Sequence, residues 1–199
     1  AGLKVLILDQ ENRNSLGGQA FWSLGGLFYV GSPEQRLMGV KDSEALAWRD
    51  WENSAGYGDT SPGGNDHWAR EWGRAYVHFA ATGERDYLKG LGLSVLPTVG
   101  WAERGSGDAS GHGNSVPRFH LTWGTGPEVV RVFREPLLEA EKAGRVRFAF
   151  RHRVDGLTVE GDANGIRRVV GVTGSVLAPD DDLPRGVASS REVVDTFDL

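Results

Sequence analysis

Apolar and polar positions alternate with different periods along the chain, and the changes of period divide it into three stretches. Near the start, residues 4–8 (Lys-Val-Leu-Ile-Leu) form an apolar run without alternation, ending at Asp9. Such a run fits a strand of a parallel sheet covered on both faces. Residues 42–53 and 66–81 then carry helical spacing. In the second of these, Trp68, Trp72, Tyr76 and Phe79 fall at i, i+4, i+8 and i+11, predicting one packed aromatic face. Gly83 is a suitable stop, and the glycine-rich residues 56–64 between the two helices read as a loop.

Residues 98–124 have no clear periodicity and are rich in glycine, histidine and tryptophan, which predicts a long functional loop. Thr125, Pro127 and Glu128 then supply an N-cap, a first-turn proline and an acid three residues after the cap. They predict a helix to residue 143, kinked at Pro136. Beyond it the pattern becomes strand-like at 146–150, 154–160, 166–172 and 193–199, with a hairpin turn at 161–165. Residues 179–190, holding three consecutive aspartates, predict an exposed connection.

Composition narrows the function. A formal net charge of −5 argues against a nucleic-acid partner, which needs clustered cations. Arg145, Arg147, Arg151, His152 and Arg153 read instead as one solvated strand face around Phe148 and Phe150. The absence of cysteine removes disulfides, thiolate catalysis and thiolate-bound zinc. His67, His78, His112, His120 and His152 lack metal-ligand spacing, so no metal site is expected. No apolar run approaches a membrane span and no leader pattern opens the chain, so a cytoplasmic location and no membrane contact are expected.

The candidate chemistry sits at the start. An acid closing an apolar strand, followed by a glycine-rich loop with Gly17-Gly18 and Gly25-Gly26, is how the second strand of a dinucleotide-binding βαβ unit looks. A carboxylate there accepts hydrogen bonds from two ribose hydroxyls. Asp9 is the candidate, with Glu11 as its nearby substitute. The phosphate-binding G-x-G-x-x-G is missing: after Gly111-His112-Gly113 and Gly124-Thr125-Gly126 the third position holds Val116 and Val129. With Ala1 directly before the strand, the chain reads as a piece of a larger nucleotide-binding enzyme.

Three segments carry a family resemblance: Leu6-Ile7-Leu8-Asp9-Gln10-Glu11, Gly17-Gly18-Gln19-Ala20-Phe21-Trp22-Ser23-Leu24-Gly25-Gly26, and Gly111-His112-Gly113-Asn114-Ser115-Val116-Pro117-Arg118. Together with Phe119-His120 and Gly124-Thr125-Gly126, they resemble the FAD-binding dehydrogenases related to fumarate reductase and succinate dehydrogenase flavoproteins and to 3-ketosteroid dehydrogenases. The resemblance implies an α/β fold, a partial Rossmann-like FAD-binding domain of the glutathione-reductase type. Its parts would be a strand and flavin loop (1–30), a helical segment (31–143), and a sheet strand with an antiparallel β-meander (144–199).

FAD would be the cofactor of the complete protein, and a small organic or steroid-like molecule its substrate. Asp9, Glu11, Gly17, Gly18, Gln19, Ser23, Gly25 and Gly26 become cofactor-binding candidates, since bare glycine backbone can approach a flavin and its pyrophosphate. His112, Arg118 and His120 become catalytic candidates: the arginine would hold developing negative charge and the histidines could exchange a proton. The resemblance also implies that the phosphate-binding turn, the substrate cap and the closing segment lie outside this chain, which alone would be inactive. A non-catalytic module that self-associates through the open edge of strand 4–8 is the rival expectation, and a carbohydrate-binding protein, from the seven tryptophans, a weaker one.

Overall fold

A computed structural model describes residues 2–102, 113–162 and 165–199. The chain divides into two compact units, Ala1–Gly18 with Arg134–Leu199, and Gln19–Phe133.

In the first unit, β1 (Val5–Asp9) lies parallel to β5 (Val146–Phe150), in register from Val5 opposite Val146 to Asp9 opposite Phe150. The expected strand at the start is therefore present, and Asp9 stands at its carboxyl end. Arg13 caps the pair by laying its guanidinium over Phe148 and Phe150 at 5.4 and 5.0 Å while bridging to Glu141. A three-stranded antiparallel meander follows: β6 (His152–Gly161), β7 (Arg167–Leu177) and β8 (Val193–Asp198), in the order β6-β7-β8. Each strand expected there forms, and β7 runs five residues beyond its expected end at 172. The extension follows from pairing, because Ser175, Val176 and Leu177 find partners on β8 that no local pattern reveals.

The expectation of one solvated basic face at 145–153 is corrected. Arg151 is 4% exposed, occupies the turn between β5 and β6 with φ 61, and sends its guanidinium inward. The 179–190 connection is likewise no free loop: Asn12 Nδ2 donates to the carbonyls of Asp180 and Leu183 at 2.7 and 2.9 Å.

The second unit builds a sheet in the order β2-β4-β3 from β2 (Gly26–Phe28), β3 (Val95–Gly100) and β4 (Phe119–Thr122), all antiparallel. These strands correct the picture of residues 98–124 as one long loop. They are too short and too mixed in polarity to show a period of two, and each exists because a distant segment completes its hydrogen bonds. Around the sheet lie α1 (Pro33–Leu37), α2 (Glu44–Ala55), α3 (His67–Thr82) and α4 (Glu84–Gly90). Helix α5 (Thr125–Lys142) starts in this unit and ends in the other, continuous across Pro136. Thr125 is its first residue, with φ 57, rather than an extended N-cap.

The packing of α3 overturns the aromatic-face prediction. Trp68 and Trp72 are 70% and 73% exposed, and the buried residues are Gly73, Val77 and Ala80. The reason is close approach. A Cβ at Gly73 would stand 2.6 Å from both the Trp51 indole nitrogen and the Tyr57 hydroxyl, so the small-residue stripe admits α2 where a tryptophan stripe could not. One core cluster joins Val30, Ala47, Trp48, Val77 and Ala80; another joins Tyr29, Leu88, Leu93 and Val132.

Candidate functional site

The candidate residues fall into both units, and each unit has its own chemistry. In the first, the Asp9 carboxylate accepts the Glu11 backbone N–H at 2.9 Å through Oδ1. Its other oxygen has no hydrogen-bond partner among the described residues. Glu11 is engaged differently: Oε2 accepts from Ser189 Oγ at 2.5 Å, and Oε1 meets the Arg191 guanidinium at 2.8 Å. Burial pushes the Glu11 carboxyl up, but the hydrogen bonds from Ser189 and Arg191 and the charges of Arg191 and Arg151 outweigh it and hold it below its ordinary value. Of the two acids, Asp9 therefore keeps an oxygen open, whereas both oxygens of Glu11 are taken. Gly17 and Gly18 have φ 97 and 47, and a Cβ on Gly18 would meet nothing within 4 Å, leaving bare backbone beside open space.

In the second unit the remaining loop candidates are organised by the protein's own packing. Ser23 Oγ donates to the Ala20 carbonyl at 2.8 Å and accepts the Gly25 N–H at 3.1 Å, while Gln19 is exposed. A Cβ at Gly26 would stand 1.7 Å from the Phe119 ring, and one at Gly25 2.7 Å from the Thr125 backbone. Glycine is needed at both positions to seat the loop on β4 and on the start of α5, a requirement separate from any approach to a ligand.

Arg118, just before β4, and His120, within it, are both enclosed. Arg118 is 1% exposed. Its Nε and Nη2 donate to the two oxygens of Asp42 at 2.8 and 2.7 Å, and Nη1 donates to Asp50 and Asn114 at 2.7 and 2.8 Å. Asp50 also takes the N–H and hydroxyl of Ser115, both at 2.7 Å. Burial pushes the Asp50 carboxyl up, but Ser115 and Arg118 together hold it below its ordinary value. Burial likewise works against the charge on Arg118, and its two aspartates more than restore it.

His120 is fully buried. Its Nδ1 lies 2.8 Å from the Arg118 carbonyl, which can only accept, so Nδ1 carries the proton. Nε2 then accepts from the Ser32 hydroxyl at 2.7 Å. Burial lowers the His120 pKa, in keeping with a neutral ring. Ser32 caps α1 in a reciprocal pair with Gln35, whose amide also reaches Asp42 and the Pro117 carbonyl at 2.9 Å each. Arg118 and His120 thus tie residues 114–120 to α1 and α2, with both side chains committed to protein partners. His112 lies outside the described residues.

Asp42, Asp50, Ser32 and Gln35 were not legible as a site. Two signals were available: Ser32-Pro33-Glu34-Gln35 is a capping-box sequence, and Asp50 is an acid set among the apolar Ala47, Trp48 and Trp51. Beside Asp50 opens a largely apolar recess of about 440 Å³ lined by Phe28, Trp51, Tyr57 and Ala69. Among the described residues no group of acids or histidines is arranged to hold a metal ion, and no helix is long and apolar enough to cross a membrane.

A parallel strand pair with a half-open carboxylate at its end, a glycine turn with exposed backbone and an antiparallel meander make this a mixed α/β protein. The chain belongs to the FAD binding domain family, whose model matches residues 1–196. It is 54% identical over 198 residues to a KsdD-like steroid dehydrogenase of Mycolicibacterium smegmatis, covering 100% of this chain and 34% of that protein. A KsdD-like steroid dehydrogenase of Mycobacterium tuberculosis is also 54% identical, with 33% of its length covered. The chain thus spans about a third of the length of the curated relatives it matches.

Two solved structures share the fold. The first is a 3-ketosteroid-delta4-(5alpha)-dehydrogenase from Rhodococcus jostii RHA1, with a TM-score of 0.54 and 21% identity over 85% of this chain and 36% of that one. The second is the open conformation of a flavocytochrome c3 fumarate reductase, with a TM-score of 0.53 and 20% identity over 87% and 30%. FAD is accordingly the cofactor of the parent protein, and the expected fold class and family are both present.

Proposed function

We propose that this chain is part of the FAD-binding domain of a flavin-dependent oxidoreductase that transfers a hydride between FAD and a small organic or steroid-like substrate. The observation that carries the reading is the family match over residues 1–196, joined to identity of 54% with steroid dehydrogenases along the whole chain. When bound, FAD supplies the hydride-accepting centre. The chain's own residues bind and support. Asp9 presents its open carboxylate oxygen to the adenosine ribose hydroxyls, and Gly17 and Gly18 offer bare backbone to the cofactor. Arg118 and His120 act as a frame for residues 114–122 rather than as exchangeable acids, since both are enclosed and partnered. His112 remains the candidate proton carrier. The recess beside Asp50 has the size and apolar lining of a small-molecule site.

The test uses the full-length protein. It should purify with visible flavin absorbance and reduce an artificial electron acceptor when given a 3-ketosteroid; a colourless protein that binds no added FAD would overturn the reading. The isolated chain should show no turnover, because the main pyrophosphate contact in such folds comes from a helix N-terminus after a glycine-rich turn, a motif this chain lacks.

A second reading rests on the edge of β1. Its hydrogen-bonded neighbour is β5, in a sheet of two strands, and Leu3 and Val5 are 71% and 46% exposed. Unpaired strand edges recruit partners, so the isolated chain would self-associate and bind no cofactor. Sedimentation of the chain with and without FAD separates the two readings.

A further inference from the structure

Asp9 does not stand alone at the end of β1. Its carboxylate is oriented by one donor, the Glu11 N–H at 2.9 Å. Glu11 is in turn held at its other end and by its side chain. Its carbonyl accepts the Arg151 N–H at 3.2 Å. Its carboxylate is pinned by Ser189 at 2.5 Å and by Arg191 at 2.8 Å. Ser189 and Arg191 belong to residues 180–191, which cross the carboxyl end of the β1-β5 pair as a strap. The strap is also fastened by Asn12, which donates to the Asp180 and Leu183 carbonyls, and by Asn14, which donates to those of Asp181 and Leu183 at 3.2 and 3.1 Å. Arg151 donates to the carbonyl of Ser190 within the strap and to that of Ala178 just before it.

We propose that Glu11 is a positioning residue for the adenosine ribose and that the 180–191 strap, through Ser189 and Arg191, fixes it so that Asp9 offers one set oxygen to the ribose. The inference rests on the reading of Asp9 as the ribose acceptor. Its physical content is directional. A free aspartate at a strand end samples several rotamers, and holding it in one removes that freedom before the ligand arrives. Arg191 is 54% exposed, so its attraction for Glu11 is screened by water. Its hydrogen-bond geometry, together with Ser189, therefore does more than its charge. Apart from Asp9 itself, the residues named here that hold Glu11 are Arg151, Ser189 and Arg191, all from beyond residue 150, so the ribose side of the site depends on the distant end of the chain.

The test compares FAD with an analogue whose adenosine ribose is 2′,3′-dideoxy, titrated into the full-length apoprotein by flavin fluorescence. Wild type should prefer FAD by about tenfold, the value of one charge-assisted hydrogen bond. Glu11→Gln and Arg191→Met should lower that preference towards one by weakening FAD while leaving the analogue's affinity unchanged, and Ser189→Ala should do so in part. In an Asp9→Ala background these substitutions should add nothing. Arg191→Met, at an exposed position, keeps the test alive should Glu11→Gln fail to fold. Undiminished preference for FAD in both variants, or an equal loss for both ligands, overturns the positioning role while leaving Asp9 as the ribose acceptor. A preference that survives Asp9→Ala overturns the ribose reading and the positioning role with it.

Discussion

Among the described residues each unit buries one arginine, and the two are buried for different purposes. Arg118, 1% exposed, is neutralised by the carboxylates of Asp42 and Asp50. Arg151, 4% exposed, donates instead to the carbonyls of Gln10, Ala178 and Ser190, with Glu11 and Asp180 at the longer distances of 3.8 and 3.7 Å. A guanidinium between two carboxylates closes a core, because either partner left alone would be an unpaired buried charge. A guanidinium among carbonyls clamps segments of backbone, because each carbonyl belongs to a different stretch of chain. The second unit thus uses charge to fix a frame, and the first uses directional hydrogen bonds to fasten a strap.

That contrast predicts unequal losses. Arg118→Met strands two buried aspartates and should cost about 3–5 kcal/mol, read from urea unfolding. A loss under about 1 kcal/mol would show the aspartates to be hydrated, and would erase the distinction between the two arginines. Arg151→Met leaves neutral carbonyls that water can reach once the strap loosens, so about 2–3 kcal/mol is expected. Its distinctive mark would be faster amide exchange confined to residues 178–191.

Gly126→Ala sharpens the comparison within the second unit, where packing as well as charge sets the loop. The new Cβ would stand 2.2 Å from the Ala20 carbonyl and 2.6 Å from that of Phe21, backbone atoms with little room to move. A loss of about 1–3 kcal/mol in thermal or urea unfolding is expected.

The smallest expected effect is a gain, at a buried carboxyl whose ionisation burial opposes. Glu84 is 6% exposed, and its Oε2 has no hydrogen-bond partner among the described residues. Burial raises its pKa from 4.5 to about 7. The folded state therefore binds more protons than the unfolded one between those values, and this group's contribution to stability is full below pH 4.5 and lost as pH rises through about 7. Glu84→Gln should stabilise by about 1–2 kcal/mol at pH 8 and by nothing at pH 4. A gain that does not vary with pH would place its origin outside the carboxyl's ionisation.

How much was legible follows from the range of the interactions. The run at 4–8 reads as a strand because Val5, Leu6, Ile7 and Leu8 are consecutive apolar residues, and Asp9 at its end follows from chain order alone. The helices α2 and α3 were expected within two residues of their ends, since spacing and caps are local. The packed face of α3 was misread because aromatic bulk predicts burial only when the neighbour leaves room; Trp51 and Tyr57 required the glycine at position 73. The strands β2, β3 and β4 were missed because their stability comes from one another.

The sequence by itself determined the class of this protein: an apolar strand ending in an acid, the glycine pairs of the loop, and the long match that identifies the FAD binding domain family. These are properties of contiguous residues, and contiguous residues are what a sequence displays. Only the tertiary structure decided what the individual side chains do. It separated Asp9, with an open oxygen, from Glu11, held by Ser189 and Arg191, and it turned Arg118 and His120 inward to partners up to 88 positions away. The physical reason is that a carboxylate or guanidinium takes its role from the few ångströms around it, and in this chain those ångströms are filled from the far end of the sequence.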